Sequence, residues 1–159
     1  MNVVRSVEAS RDDYEPAGKP GEKPQIHDKV LRAIQEEIEG VWRSKLGDYG
    51  IDLVIRETYP SGRILLAVEV DTWWKPPRSW LKLLDVRSEG KIWIYTPSRC
   101  ERGEERFRKA IEELRGLIKA RGETADLAGR FAAVLKMPDR TEVVMLLDTE
   151  RLGRMVEEF

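Results

Sequence analysis

The sequence predicts an α/β domain in which helices flank a mixed central sheet. Two long segments carry apolar residues at helical spacing, and five shorter segments alternate or run apolar as strands do. Helical and strand-like segments are interspersed along the chain, which favours a layered α/β fold. At 159 residues the chain is long enough for one domain with a sizeable core. The predicted element order is α-β-β-α-β-α-β-β-α, with residues 26–159 as the single domain.

The first predicted helix follows an N-terminal arm. Residues 1–25 combine prolines and glycines with charged residues and have no apolar period, which favours a flexible arm. From Ile26 to Leu46, apolar residues recur every four positions, and Gly47 follows as a C-cap. The segment 26–46 is therefore predicted to be one helix.

A hairpin is predicted next. Residues 51–56 and 63–71 alternate apolar and polar residues as half-buried strands do. The connector from Thr58 to Gly62 contains Pro60 and Ser61, which are turn residues. The two strands are thus expected to pair in antiparallel orientation.

The second half of the chain alternates helices with strands. Pro76 and Pro77 precede a helix at 78–86, because proline is favoured at the start of a helix. The further predicted elements are a strand at 91–96, a helix at 101–121, strands at 130–137 and 142–147, and a short closing helix from about Thr149. The segment 130–137 also fits a helix, and the turn-like residues 138–141 favour the strand.

Composition excludes several classes of site. Charged residues make up 36% of the chain, and Asn and Gln together number three, a pattern typical of hyperthermophilic proteins. Cys100 is the only cysteine, so neither an intrachain disulfide nor a cysteine metal cluster can form. His27 is the only histidine, so a Ser/His/Asp triad or a histidine-rich zinc site is not expected. A cytoplasmic location without a membrane partner is expected, because no apolar stretch approaches a membrane span.

Acidic residues interrupt the two predicted hairpin strands. Glu69 and Asp71 lie two residues apart and project from the same strand face, and the hairpin can bring Asp52 close to them. Clustered carboxylate oxygens suit Mg²⁺ or Mn²⁺, which makes Asp52, Glu69 and Asp71 candidate metal ligands. Glu37 falls at the edge of the apolar stripe of the first helix and is expected to point toward the sheet. The alternative that these acids are only ion-paired with arginines stays open.

This layout resembles the PD-(D/E)xK nuclease superfamily, which has the restriction-endonuclease-like fold and includes archaeal junction resolvases. The resemblance covers roughly residues 26–96: a helix with Glu37, the strand GIDLVI with Asp52, the strand ILLAVEVD with Glu69, then a helix and a strand. It implies a restriction-endonuclease-like core and a Mg²⁺- or Mn²⁺-dependent DNA nuclease. Asp52 and Glu69 would bind the metal, and Glu37 would be an auxiliary acid.

The sequence departs from the family pattern at the lysine position. Asp71 stands two residues after Glu69, where the family has a lysine. Some family members take this lysine from the following helix, and Lys82 is the first candidate here, with Lys75 second. The same departure also fits a domain that has lost catalysis and kept binding.

Aromatic and basic residues follow the candidate site. Trp73, Trp74, Lys75 and Arg78 lie directly after the second strand, where a nuclease would need groups that stack bases and hold phosphates. These tryptophans fit a core or a protein-contact patch as well. The sequence therefore predicts DNA as a partner, and is also compatible with a homodimer or a non-catalytic module that recruits protein or nucleic acid through this loop.

Overall fold

Six strands form one mixed sheet, and their spatial order repeats their order in the chain. The computed structural model describes residues 2–15, 22–39, 42–58, 61–72, 78–98, 100–121 and 129–148. The strands are β1 (Arg43–Leu46), β2 (Leu53–Arg56), β3 (Ile64–Asp71), β4 (Gly90–Tyr95), β5 (Arg130–Lys136) and β6 (Thr141–Asp148). The first three strands are antiparallel, β4 and β5 run parallel to β3, and β6 is antiparallel to β5. The predicted α/β class with a mixed sheet is confirmed.

Helices pack on both faces of this sheet. The described residues contain α1 (Asn2–Ser6), α2 (Gln25–Ile38), α3 (Arg78–Asp85) and α4 (Gly103–Arg121). One apolar core joins α1 and α2 to Leu66, Val68 and Val70, and the other joins α3 and α4 to Ala67 and Trp93. Both faces of β4 and β5 are thereby buried, which explains why these two strands are almost continuously apolar in sequence.

Most predicted elements of the central region are present. The strands predicted at 51–56, 63–71, 91–96, 130–137 and 142–147 are confirmed as β2 to β6, with ends that differ by at most two residues. The helices predicted at 78–86 and 101–121 are confirmed as α3 and α4. The closing helix predicted from Thr149 lies outside the described residues. Within the described ranges, no helix is long and apolar enough to cross a membrane.

The first long helix is shorter than its apolar period predicts. It ends at Ile38, and the residues Arg43–Leu46 form β1 instead of two further helical turns. β1 pairs with β2 in antiparallel register, with Leu46 opposite Leu53. The prediction of a helix to residue 46 was wrong because hydrogen bonding to a neighbouring strand outweighs a local helical period that Gly40 already weakens.

The N-terminal segment is packed against the domain where a flexible arm was expected. Val4 and Tyr14 are 2% and 1% exposed and belong to the core under α2. The Tyr14 hydroxyl donates a hydrogen bond of 3.0 Å to the backbone carbonyl of Lys136 at the end of β5. Asp13 pairs with Lys29 of α2 at 2.7 Å. Residues 2–15 are therefore part of the fold, and the isolated apolar residues that anchor them form no period that sequence analysis can detect.

The strand directions define one end of the sheet. The parallel strands β3 and β4 both finish there, and β2 begins there because it runs antiparallel to β3. In open α/β sheets, ligands bind outside the carboxyl ends of the strands. The acidic residues identified in the sequence lie at this end.

Candidate functional site

Asp52 and Glu69 meet at the carboxyl end of β3. Asp52 directly precedes β2, and the pairing of Leu53 with Val68 places it beside the last residues of β3. Its backbone N–H donates to Glu69 Oε1 at 3.1 Å, and its carboxylate Oδ2 accepts from the Val70 N–H at 2.8 Å. Each acid is therefore held by the backbone of the neighbouring strand, and the two side chains occupy one site.

Lys82 joins this pair from α3. Its Nζ lies 3.3 Å from Glu69 Oε1 and 3.4 Å from Oε2. The Glu69 side chain is 3% exposed and that of Lys82 is 36% exposed, so the cation lies between the buried carboxylate and solvent. An aspartate, a glutamate and a lysine thus converge from two strands and a helix.

Asp71 holds α3 in place. Its Oδ1 accepts a hydrogen bond from the Ser79 hydroxyl at 3.0 Å, and its Oδ2 accepts one from Trp93 Nε1 at 2.8 Å. Ser79 and Lys82 are three residues apart and share a helix face, so fixing Ser79 at the end of β3 directs Lys82 toward Glu69. Both Asp71 oxygens are engaged, which does not support the expectation that Asp71 is a third metal ligand.

His27 is a site residue that sequence analysis missed. Its ring lies on α2, is 5% exposed at the side chain, and places Nε2 at 3.3 Å from Asp52 Oδ2. Nδ1 lies 2.8 Å from Asp28 Oδ1, and Lys23 Nζ lies 3.5 Å from Asp52 Oδ1.

The sequence contained a signal for this role of His27. His27 shares the apolar face of α2 with Val30, Leu31 and Ile34, where a buried polar residue needs a hydrogen-bond partner.

Glu37 does not join the site. Its side chain is exposed in the last turn of α2, so the expectation that it points toward the sheet was wrong. Glu37 lies at the margin of the buried face of α2, which includes Ile26, Val30, Ile34 and Ile38, and in the last turn of the helix this margin is open to solvent.

The aromatic and basic loop is mostly outside the described residues. Trp73, Trp74 and Lys75 lie outside the described residues, and Arg78 is exposed at the first residue of α3. Their suggested contact with nucleic acid stays a prediction.

No protein-family model, curated protein or solved structure matches this chain. The assignment of the site therefore rests on its own geometry and electrostatics.

The pKa values of the two central acids are shifted in opposite directions. Burial raises the pKa of Glu69, the negative charge of Asp52 raises it further, and Lys82 compensates only in part. Burial also acts to raise the pKa of Asp52, but hydrogen bonds from His27 and the Val70 N–H outweigh it and hold that pKa below its ordinary value. The ionised form of Asp52 is therefore stabilised by its partners. The ionised form of Glu69 is not, because the positive charge of Lys82 does not offset its burial and the nearby charge of Asp52.

The neighbours of these acids also titrate away from their ordinary values. Burial acts to lower the pKa of His27, but hydrogen bonds to Asp52 and Asp28 outweigh it and raise the pKa. Burial raises the pKa of Asp71 despite the hydrogen bonds from Trp93 and Ser79. Clusters of residues with shifted pKa values, here at the carboxyl end of β3, are typical of functional sites.

We expect Glu69→Gln to stabilise the metal-free protein increasingly as the pH rises. A carboxyl whose pKa is raised by folding stabilises the fold below its unfolded pKa, here 4.5, and loses that contribution as the pH rises through the folded pKa. Glutamine cannot ionise and avoids this loss. Urea unfolding in EDTA should therefore show that the difference in free energy of unfolding, variant minus wild type, grows between pH 4.5 and 7.

The matched control for this measurement is Glu36→Gln, which removes an exposed carboxylate from α2. Its stability difference from the wild type should stay nearly flat over the same pH range. A Glu69→Gln difference that is flat, or that shrinks as the pH rises, would contradict the raised pKa of Glu69.

Proposed function

We propose that this chain is a divalent-metal-dependent nuclease-like domain of the PD-(D/E)xK type that hydrolyses phosphodiester bonds in DNA. The observation that carries the proposal is the convergence of Asp52, Glu69 and Lys82, with Lys82 Nζ 3.3 Å from Glu69 Oε1. The family resemblance implies an aspartate, a glutamate and a lysine in one site, and in this sequence the lysine has to come from α3. The contact between Lys82 and Glu69 supports this source of the lysine.

The layout around the site supports the same proposal. Apart from β1, which lies between α2 and β2, the elements α2, β2, β3, α3 and β4 follow one another along the chain in the order that the resemblance implies. The acids lie at the carboxyl end of β3 and the lysine lies on the helix that leads to β4. A restriction-endonuclease-like core is part of this proposal.

The donor atoms fit Mg²⁺ or Mn²⁺. Mg²⁺ is commonly held by one or two carboxylates together with water and substrate phosphates, and Asp52 and Glu69 provide two. Among the described residues, no group of three or more His, Cys, Asp or Glu side chains is arranged to hold a metal. The coordination would therefore be completed by water and by phosphate oxygens. When bound, such an ion polarises the phosphate and activates water.

The protein side chains have separate tasks in this proposal. Asp52 and Glu69 would hold the metal, and the burial that raises the pKa of Glu69 supports this role, because a bound cation would stabilise its ionised form. Lys82, 36% exposed, can reach a phosphate oxygen from the Glu69 side and stabilise the charge that develops there. His27 lies behind Asp52 and orients its carboxylate, as outer partners of metal ligands do.

Cleavage assays with the wild-type protein test this function. Supercoiled, linear and branched DNA would be incubated with Mg²⁺, Mn²⁺ or EDTA at elevated temperature, which the hyperthermophile-like composition calls for. We expect cleavage with Mg²⁺ or Mn²⁺ and none in EDTA. Cleavage that continues in EDTA, or no cleavage of any of these substrates, would refute the catalytic proposal.

A further inference from the structure

A groove of about 520 Å³ opens directly beside the candidate site. Among the described residues, its lining includes Tyr49, Ile51, Ile64, Lys82, Val86 and Arg87. Lys82, which lines the groove, also contacts Glu69, so the groove adjoins the candidate site through this lysine. Pockets of this size are typical of small-molecule sites.

An exposed aromatic side chain stands on one wall of the groove. Tyr49 is 71% exposed and has a φ of 55°, in the left-handed region that aromatic residues rarely adopt. It lies between Gly47 and Gly50, whose φ values are also positive, at 70° and 68°. The turn thus holds a large aromatic ring in solvent at a cost in backbone strain, a combination that is concentrated at binding sites.

A buried arginine fixes the orientation of this ring. The guanidinium carbon of Arg56 lies 5.2 Å from the centre of the Tyr49 ring, and Arg56 is only 6% exposed. Arg56 Nη1 donates to the Gly62 carbonyl at 2.7 Å. Because Arg56 covers one face of the ring, the exposure of Tyr49 leaves the opposite face open for stacking.

The chemistry of the groove favours a nucleobase with its phosphate. Ile51, Ile64 and Val86 supply apolar walls beside the open ring, and Lys82 supplies a cation at the end next to Glu69. Asp85 also lines the groove, but it is paired with Arg121, so its charge is compensated. A flat apolar group attached to an anion could stack on Tyr49 and pair with Lys82 at the same time. A nucleotide with an unpaired base has this form, whereas a base inside a duplex is already stacked on its neighbours and has no free face for Tyr49.

We propose that this groove binds an unpaired nucleobase of the nucleic-acid strand whose phosphate lies at Lys82. The base stacks on Tyr49, and the protein therefore prefers a strand that is single-stranded beside the bond to be cleaved. This inference rests on the proposed nuclease function and names its substrate class.

Binding measurements without divalent metal test the groove separately from catalysis. Fluorescence anisotropy of the full chain in EDTA would compare a single-stranded deoxyoligonucleotide, an RNA of the same sequence and a blunt DNA duplex. We expect Tyr49→Ala to weaken binding of the single strands about 5- to 100-fold, and Tyr49→Phe to retain wild-type affinity. Binding of the blunt duplex should be unchanged by either substitution.

Two further variants control for folding and for nonspecific apolar contact. Tyr49→Asn removes the ring but tolerates a positive φ, so it should lose affinity as Tyr49→Ala does while keeping the wild-type thermal stability. Met145→Ala truncates another exposed apolar side chain, on β6 at the opposite edge of the sheet, and should bind normally. If the RNA and DNA single strands bind equally well, the groove recognises the base and makes no contact with the 2′ position of the sugar.

Several outcomes would overturn this inference. They are wild-type affinity in Tyr49→Ala, an equal loss in Tyr49→Phe, or a wild type that binds neither single strand. Because no metal is present, absence of cleavage in the assays above leaves this result intact. Conversely, a binding result that refutes the groove would not contradict metal-dependent cleavage, which is measured separately.

Discussion

Replacing Glu69 with Gln, or Asp52 with Asn, is expected to lower the rate of metal-dependent DNA cleavage by more than about 100-fold. Substitution of outer partners of a metal ligand already costs about 10- to 100-fold, and these two residues are the proposed ligands themselves. Both substitutions keep the side-chain shape, so the hydrogen bonds from the Asp52 and Val70 N–H groups can persist. The loss should therefore appear in activity without unfolding of the protein.

The measurement is the single-turnover cleavage rate at saturating Mg²⁺, with Mn²⁺ affinity measured by calorimetry. Both variants should lose Mn²⁺ binding together with activity. Glu36→Gln on the exposed side of α2 is the matched control and should cleave at the wild-type rate. Wild-type cleavage by either Glu69→Gln or Asp52→Asn would show that this pair is only ion-paired, the alternative that the sequence left open.

Lys82→Met is expected to lower the cleavage rate on the order of 100-fold without weakening metal binding. Methionine keeps a long flexible side chain but removes the charge beside the phosphate, and loss of one group that stabilises developing charge costs about 100- to 1,000-fold. Lys82 also competes with a metal for the Glu69 carboxylate, because its Nζ lies within 3.4 Å of both oxygens. Mn²⁺ affinity should therefore be equal to that of the wild type or tighter.

This pair of effects separates a catalytic role of Lys82 from a structural one. If Lys82 only neutralised Glu69 within the fold, the variant would lose thermal stability, and its activity would recover on cooling. Lys119→Met removes an exposed lysine from α4 and should change neither rate nor affinity. A Lys82→Met variant that cleaves normally would remove Lys82 from the proposed mechanism.

The candidate site was predictable where local geometry sufficed. Alternation along 63–71 assigned Glu69 to the strand face opposite Leu66 and Val68, and the hairpin brought Asp52 to it. The family resemblance made Lys82 the first candidate for a lysine supplied by the following helix, and Lys82 contacts Glu69. The structure gives Asp71 a structural role, because it accepts a hydrogen bond from Ser79 and thereby anchors α3.

Other features depended on contacts that no local pattern contains. The partner of His27 is Asp52, 25 residues later, and this contact requires α2 to cross the sheet next to the start of β2. Glu37 was misplaced because an angular position at the margin of the apolar stripe does not tell whether the sheet covers that side of α2 at its last turn. The packing of Tyr14 against the end of β5 spans 122 residues of sequence.

The sequence by itself determined the α/β class, the central strands and helices, and the acids at the end of the hairpin. Apolar periods of two and 3.6 residues report which faces of an element are buried, and this information is local. Only the tertiary structure decided that Arg43–Leu46 is an edge strand, that residues 2–15 belong to the fold, and that Tyr49 lines a groove together with Lys82. These outcomes depend on contacts between distant segments, whose free energies exceed the local preferences of a few residues.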